Sequence, residues 1–197
     1  MLADRDIQRS LIEGDLVIDP YDPSALQPSS YDVTLDRHFL VPSRLVTEID
    51  MADVQPGHMV PMVANGDGFV MEPGDFVLGS TRERVKIGDR LLGRVEGKSS
   101  IGRLGLLVHL TAGFIDPGFE GQVTLELFNA APWEITLYPG QKIAQLAFSA
   151  LMSHPLRTYG QAGNHYQGQS GPVESRFAGA TPLECATATW PQTRENT

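Results

Sequence analysis

The chain has 197 residues, with 15 Lys and Arg against 24 Asp and Glu and a formal net charge of −9. That length supports one domain with a substantial core, and 41% hydrophobic with 20% charged residues is a folding composition rather than a disordered one. The acidic balance disfavours non-specific nucleic-acid binding, which needs clustered cations, and a lone cysteine, Cys185, rules out an internal disulfide framework and a cysteine-rich zinc site.

Residues 4–13 (DRDIQRSLIE) read as a helix, capped by Asp4, with Ile7, Leu11 and Ile12 on one face and Gly14 as the stop. The period then changes to two. Tyr31, Val33 and Leu35 alternate with Asp32, Thr34 and Asp36, in a strand that runs on towards Val41. Residues 42–68, polar and broken by Pro42, Pro56 and Pro61, read as loops around short strands. Beyond Phe69 come FVM (69–71), a turn at Glu72-Pro-Gly-Asp75, FVLGST (76–81) and LLGRVEG (91–97). Ser99 or Ser100 is expected to cap a short helix inside KSSIGRLGLLV (98–108). QVTLELF (122–128) and KIAQLAF (142–148) alternate again, on either side of the turn Tyr138-Pro-Gly-Gln141.

Repeated short strands, with 20 Gly and 14 Pro to turn them, indicate a mainly β fold. A β-barrel or jelly roll with an N-terminal helix and one short internal helix is expected. The barrel is placed at 1–152, a Gly-rich lid at 153–176 and a disordered tail at 177–197. No apolar run approaches the ~20 residues of a membrane span, and the polar start offers no secretory core. A cytoplasmic location is therefore the expectation.

Four places could carry chemistry. In QVTLELF, Val123, Leu125 and Leu127 share one face and Thr124, Glu126 and Phe128 the other. On that pattern Glu126 is either a surface carboxylate or, with Phe128 as cover, a half-dry proton shuttle. Lys98-Ser-Ser-Ile-Gly-Arg103 is either a plain capped helix or a set of phosphate donors, and it is not a P-loop. Thr111-Ala-Gly-Phe-Ile-Asp-Pro-Gly-Phe119 is either a turn or a rigid mount for Asp116 beside Phe119. The stretch from Tyr159 to Arg176 is either a loose terminus or a lid.

Taken in order, GKSSIGRLGLLVHLTAGFIDPGFEGQVTLEL (97–127), LQPSSYDVTL (26–35), EPGDFVLGST (72–81), PGQKIAQLAF (139–148) and YGQAGNHYQGQSGP (159–172) resemble the dCTP deaminases, within the trimeric dUTPase-like superfamily. The Gly113-Phe114 pair resembles the bifunctional branch, which deaminates dCTP and cleaves the triphosphate to dUMP. The resemblance implies a homotrimeric dUTPase-like distorted barrel with interfacial sites. It makes Glu126 the general acid/base, Ser99 and the Ala112 backbone the holders of the attacking water, and Arg103 the group that orients the carboxylate. Lys98, Ser99, Ser100, Ile101, Gly102 and Arg103 would supply phosphate contacts, partly to a neighbouring subunit's ligand. Asp116 would bind the sugar, with Phe119 beneath it, while Thr124, Leu125 and Glu126 line the base. Gln145 matches a ligand contact, and Tyr159 and Gln169 match lid residues.

Three departures stand out: His165 replaces a customary phosphate-binding Lys, Ala144 replaces a customary Gly, and the residues after Phe177 have no counterpart in the family. The same resemblance implies no zinc, Mg²⁺ carried by the triphosphate, and dTTP as a feedback inhibitor. A deaminase that releases dUTP, a paralogue acting on a modified cytosine nucleotide, and a non-catalytic nucleotide-binding barrel are the alternatives.

Overall fold

In the computed structural model, residues 1–161 and 164–177 are described. Helix α1 (Asp4–Glu13) ends at Gly14, whose φ of 80° is a left-handed stop that glycine adopts without strain. Its start differs from the sequence expectation. Ala3 is the N-cap and Asp4 already lies inside the helix, so the carboxylate that reaches back to the Ala3 N–H is that of Asp6, at 3.3 Å. The buried face is narrower than expected too: Ile7 is buried whereas Ile12 is 86% exposed.

The chain continues as β1 (Leu16–Asp19), β2 (Leu26–Gln27), β3 (Ser30–Thr34), β4 (His38–Pro42), β5 (Met59–Val63) and β6 (Phe69–Met71). Then follow β7 (Phe76–Ile87), β8 (Leu91–Gly97), helix α2 (Ser99–Gly102), β9 (Leu106–Val108) and β10 (Phe114–Ile115). The last strands are β11 (Glu120–Asn129), β12 (Ile135–Leu137) and β13 (Lys142–Ala150). One sheet has the order β5-β4-β7-β11-β9, with β1 also on β7; the second has the order β10-β8-β13-β3-β2; β6 and β12 pair separately. The core lies between the sheets, with Val33, Leu146 and Phe148 from one and Val85, Leu125 and Leu127 from the other.

The expected strand from Tyr31 to Val41 is two strands. The chain leaves the second sheet after Thr34, makes an isolated bridge from Leu35 to Thr81, and re-enters in the first sheet at His38. A period-two pattern cannot reveal such a corner, because each half keeps its own alternation. The buried Glu83 fastens that corner, accepting the Thr34 N–H at 2.8 Å and the Thr34 hydroxyl at 2.7 Å.

Strand β7 runs six residues past the expected Thr81, because its far half pairs with β1 and with the start of β11. Between Gln122 and Thr124 the β11–β7 register shifts at a bulge, where the Val123 N–H turns to the Thr81 hydroxyl at 2.9 Å. Neither Ser99 nor Ser100 caps α2. Lys98 is its N-cap, with no side-chain hydrogen bond, and both serines are exposed within the short helix.

Candidate active site

Strand β11 builds one wall of the site. Its inward residues Val123, Leu125 and Leu127 are buried, and the alternate residues Gln122, Thr124 and Glu126 are half-buried. The cover comes from residues 166–173, which lie along that polar side. Gly168 N–H donates to Glu120 O at 2.8 Å, and Gln169 Nε2 donates to Gln122 O at 2.6 Å. Gly171 N–H donates to Gln122 Oε1 at 2.6 Å, and Val173 N–H to Thr124 Oγ1 at 3.4 Å.

The resulting cavity of about 820 Å³ is within the usual range for small-ligand sites. Ala112, Phe114, Asp116, Phe119, Thr124, Glu126, Tyr159 and Gln169 line it. Eight sequence-predicted residues from three of the four candidate stretches therefore meet at one place.

Thr111 holds Glu126 there. Its N–H and its hydroxyl both donate to Oε2, at 3.2 and 3.0 Å, and Oε1 takes no hydrogen bond among the described residues. One oxygen is thus fixed, and the side chain lines the cavity. His109, next along, donates its N–H to the Glu126 carbonyl at 2.9 Å and holds a left-handed φ of 64°. Both its ring nitrogens are buried without a partner. A strained non-glycine backbone and unpaired polar atoms at a cavity wall are features that functional sites retain.

Asp116 begins the tight turn Asp116-Pro-Gly-Phe119, closed by the Phe119 N–H on the Asp116 carbonyl at 3.1 Å. Gly118 is required in that turn: its φ is 89°, and a Cβ would sit 2.7 Å from Thr158 Cβ. The close approach lets the Tyr159 N–H donate to Pro117 O at 2.7 Å. Phe119, 6% exposed, then meets Tyr159 edge to face at 5.5 Å between centroids. Burial pushes the Tyr159 hydroxyl above its ordinary pKa, against the opposing hydrogen bond from the Tyr166 N–H, so it stays a neutral donor at physiological pH.

The remaining predicted residues lie outside this cavity. Ser99, Ser100, Gly102 and Arg103 are exposed around α2, and Ile101 leans on the core. Lys98 pairs with the buried Asp32, and Gln145 accepts from the Ser30 hydroxyl at 2.9 Å while donating to Gly97 O at 3.1 Å. Within one chain, Glu126 is therefore anchored by Thr111 and not by Arg103. Leu125 is fully buried and its side chain belongs to the core, so only its backbone can border a ligand. Gly113 is next to the cavity residues Ala112 and Phe114, with its carbonyl accepting from the Val95 N–H at 2.8 Å. The His165 ring packs against Tyr166, 6.2 Å between centroids, and does not line the cavity.

Sequence reasoning missed His109, Thr111 and Tyr166, and also the cover that residues 43–59 provide through Val46, Ile49 and Met59. The apolar residues within that otherwise polar stretch were the available signal. Among the described residues no three His, Cys, Asp or Glu side chains gather into a metal-holding group, and no helix is long and apolar enough to cross a membrane.

A two-sheet β-barrel that gathers a fixed carboxylate, an aspartate turn and an aromatic pair under a folded-over C-terminal segment defines a small-molecule-binding barrel with the parts of a hydrolase. The fold is the one found in a 2'-deoxycytidine 5'-triphosphate deaminase from Agrobacterium tumefaciens, with a TM-score of 0.59 at 22% identity, covering 75% of this chain and 46% of that one. The chain belongs to the dCTP deaminase-like family, whose model matches residues 1–151. It is 51% identical over 182 residues to a Corynebacterium efficiens protein named dCTP deaminase, dUMP-forming, covering 89% of this chain and 93% of the relative. A Mycolicibacterium smegmatis protein of the same name is likewise 51% identical, over 181 residues, covering 89% of this chain and 95% of that one.

Proposed function

We propose that this chain converts dCTP and two waters to dUMP, pyrophosphate and ammonia. The geometry that carries the reading is Glu126, held by Thr111 through one oxygen and facing the cavity beside Asp116 and Phe119. The naming of relatives at 51% identity supports the same reaction.

Glu126 takes a proton from a water, hydroxide attacks C4 of the cytosine, and the protons return through Glu126 to N3 and to the leaving ammonia. Asp116 accepts the sugar hydroxyl, Phe119 packs beneath the deoxyribose, and Thr124 with the Leu125 backbone borders the base. In the second step a water cleaves the triphosphate at the α-phosphorus. Mg²⁺ would arrive on the phosphate oxygens, where it neutralises the departing pyrophosphate. The small Gly113 leaves room for that second water.

The groups left outside the cavity have a place in an assembly. We propose a homotrimer in which Lys98–Arg103 of one subunit complete a neighbour's cavity, Ser99 and the Ala112 carbonyl holding the first water and Arg103 steadying Glu126 across the interface. Gln145, Tyr159, Gln169 and His165 complete the phosphate end. dTTP would compete for the same pocket, and the location is cytoplasmic.

Purified protein with dCTP and Mg²⁺, its products resolved over time, tests the reaction. The expected result is dUMP and pyrophosphate with little free dUTP. Accumulating dUTP would mean a deaminase alone, and unreacted dCTP would overturn the reading.

A further inference from the structure

The segment proposed to grip the triphosphate is moored to a carboxylate that the chemistry does not use. Asp32 lies in β3 with 3% of its surface exposed. Its Oδ1 accepts from Lys98 Nζ; its Oδ2 accepts from Gln27 Nε2 at 3.3 Å and lies 3.5 Å from Lys142 Nζ. Gln145 is its direct neighbour across the β13 ladder, and that side chain is held between the Ser30 hydroxyl and Gly97 O, one residue before Lys98. A single short strand thus fixes a lysine and a glutamine that would both touch phosphate.

We propose that Asp32 is the positioning residue of the triphosphate-binding Lys98. The inference rests on the phosphate role given above to Lys98. A lysine free in solvent must give up its rotamer freedom when it grips a ligand, whereas one already bonded to Asp32 has lost that freedom beforehand. An ammonium has three donors, so holding the carboxylate leaves two for phosphate oxygens. Asp32 also separates two cations that would otherwise repel, which leaves the cluster with one net positive charge facing a polyanion. Asp32 is buried while Lys98 keeps part of its surface in solvent, so the carboxylate's desolvation offsets much of the attraction and stability alone is a poor account of the pair.

A double-mutant cycle between Asp32→Asn and Lys98→Gln tests this, read as the Kd of a non-hydrolysable imido analogue of dUTP and of dUMP. Asp32→Asn should weaken the analogue about tenfold or more and leave dUMP within about twofold, and adding it to Lys98→Gln should cost nothing further. Equal weakening of both ligands, or additive losses, would mean a merely structural carboxylate and would overturn the proposal. Should Asp32→Asn fold poorly, a crystal structure of the wild-type complex with the analogue decides instead. Lys98 must then bond Asp32 and a phosphate oxygen at once; a lysine that leaves Asp32, or reaches no phosphate, overturns it. Wild-type turnover of dCTP is followed in parallel: its absence would refute the proposed reaction while the binding cycle still decides the role of Asp32.

Discussion

Glu126 sits on a strand whose opposite face is fully buried, so its backbone cannot drift, and two donors from Thr111 fix one of its oxygens. Glutamine is nearly the same shape, and its carbonyl oxygen can still accept both Thr111 bonds, but it cannot take a proton from water. Glu126→Gln should therefore lower deamination by ~10²–10⁴-fold while leaving the melting temperature within a few degrees. Steady-state ammonia release and a thermal melt check the two halves of that statement. Retained turnover would remove Glu126 from the mechanism. The same scale explains why Thr111 and His109 escaped the sequence reading. A threonine hydroxyl and a histidine with positive φ look ordinary in a sequence; only the folded backbone brings Thr111 to the Glu126 carboxylate and the His109 N–H to the Glu126 carbonyl.

Among the elements, the loop between β9 and β10 is the piece that, in the proposed mechanism, would set the outcome of the reaction. At Gly113 a Cβ would meet Val95 O at 3.4 Å and Arg94 Cγ at 3.8 Å, which is ordinary contact, and Phe114 next to it is 67% exposed. The position thus accepts a side chain without unfolding the loop. Gly113→Ala should keep the fold, and the larger Gly113→Gln should crowd out the second water, so that dUTP accumulates where the wild type yields dUMP. Nucleotide chromatography of the products reads this directly, and an unchanged dUMP yield would exclude Gly113 as the determinant.

Element identity was largely legible in the sequence. The alternation in β11 separated the core face from the site face correctly, and α1, β6 and β8 lie where periodicity and turns put them. The misses have physical causes. The break after Thr34 and the extension of β7 to Ile87 depend on which sheet receives the strand, and that is a tertiary choice. The cap of α2 depended on one residue of register. Strand β13 is buried on both faces near Ala144 and Ala147, so its alternation overstated its exposure.

For the whole molecule, the proposed site is divided between a cavity and a cationic segment that one chain does not bring together. A homotrimer predicts a solution mass about three times the 21.5 kDa of the chain. It also predicts rescue: Glu126→Gln and Ser99→Ala are each inactive alone, yet co-refolded in equal amounts they should recover about a quarter of wild-type activity, since random assembly unites two intact halves that often. Light scattering and an activity assay on the mixture check both, and no recovery would place the two halves in the same subunit's site. The tail expected at 177–197 lies outside the described residues, apart from Phe177.

The central place of β13 also orders events during synthesis. Ser30 and Gln145, which meet across β3 and β13, are 115 residues apart, and β8 too waits for the same partner. At ribosomal speeds of roughly 5–20 residues per second, β3 spends on the order of ten seconds as an unpaired edge before its neighbour emerges. During that interval the open edge of β3 presents unpaired backbone N–H and C=O groups to any other strand, so the pairing of the second sheet is among the last events of folding.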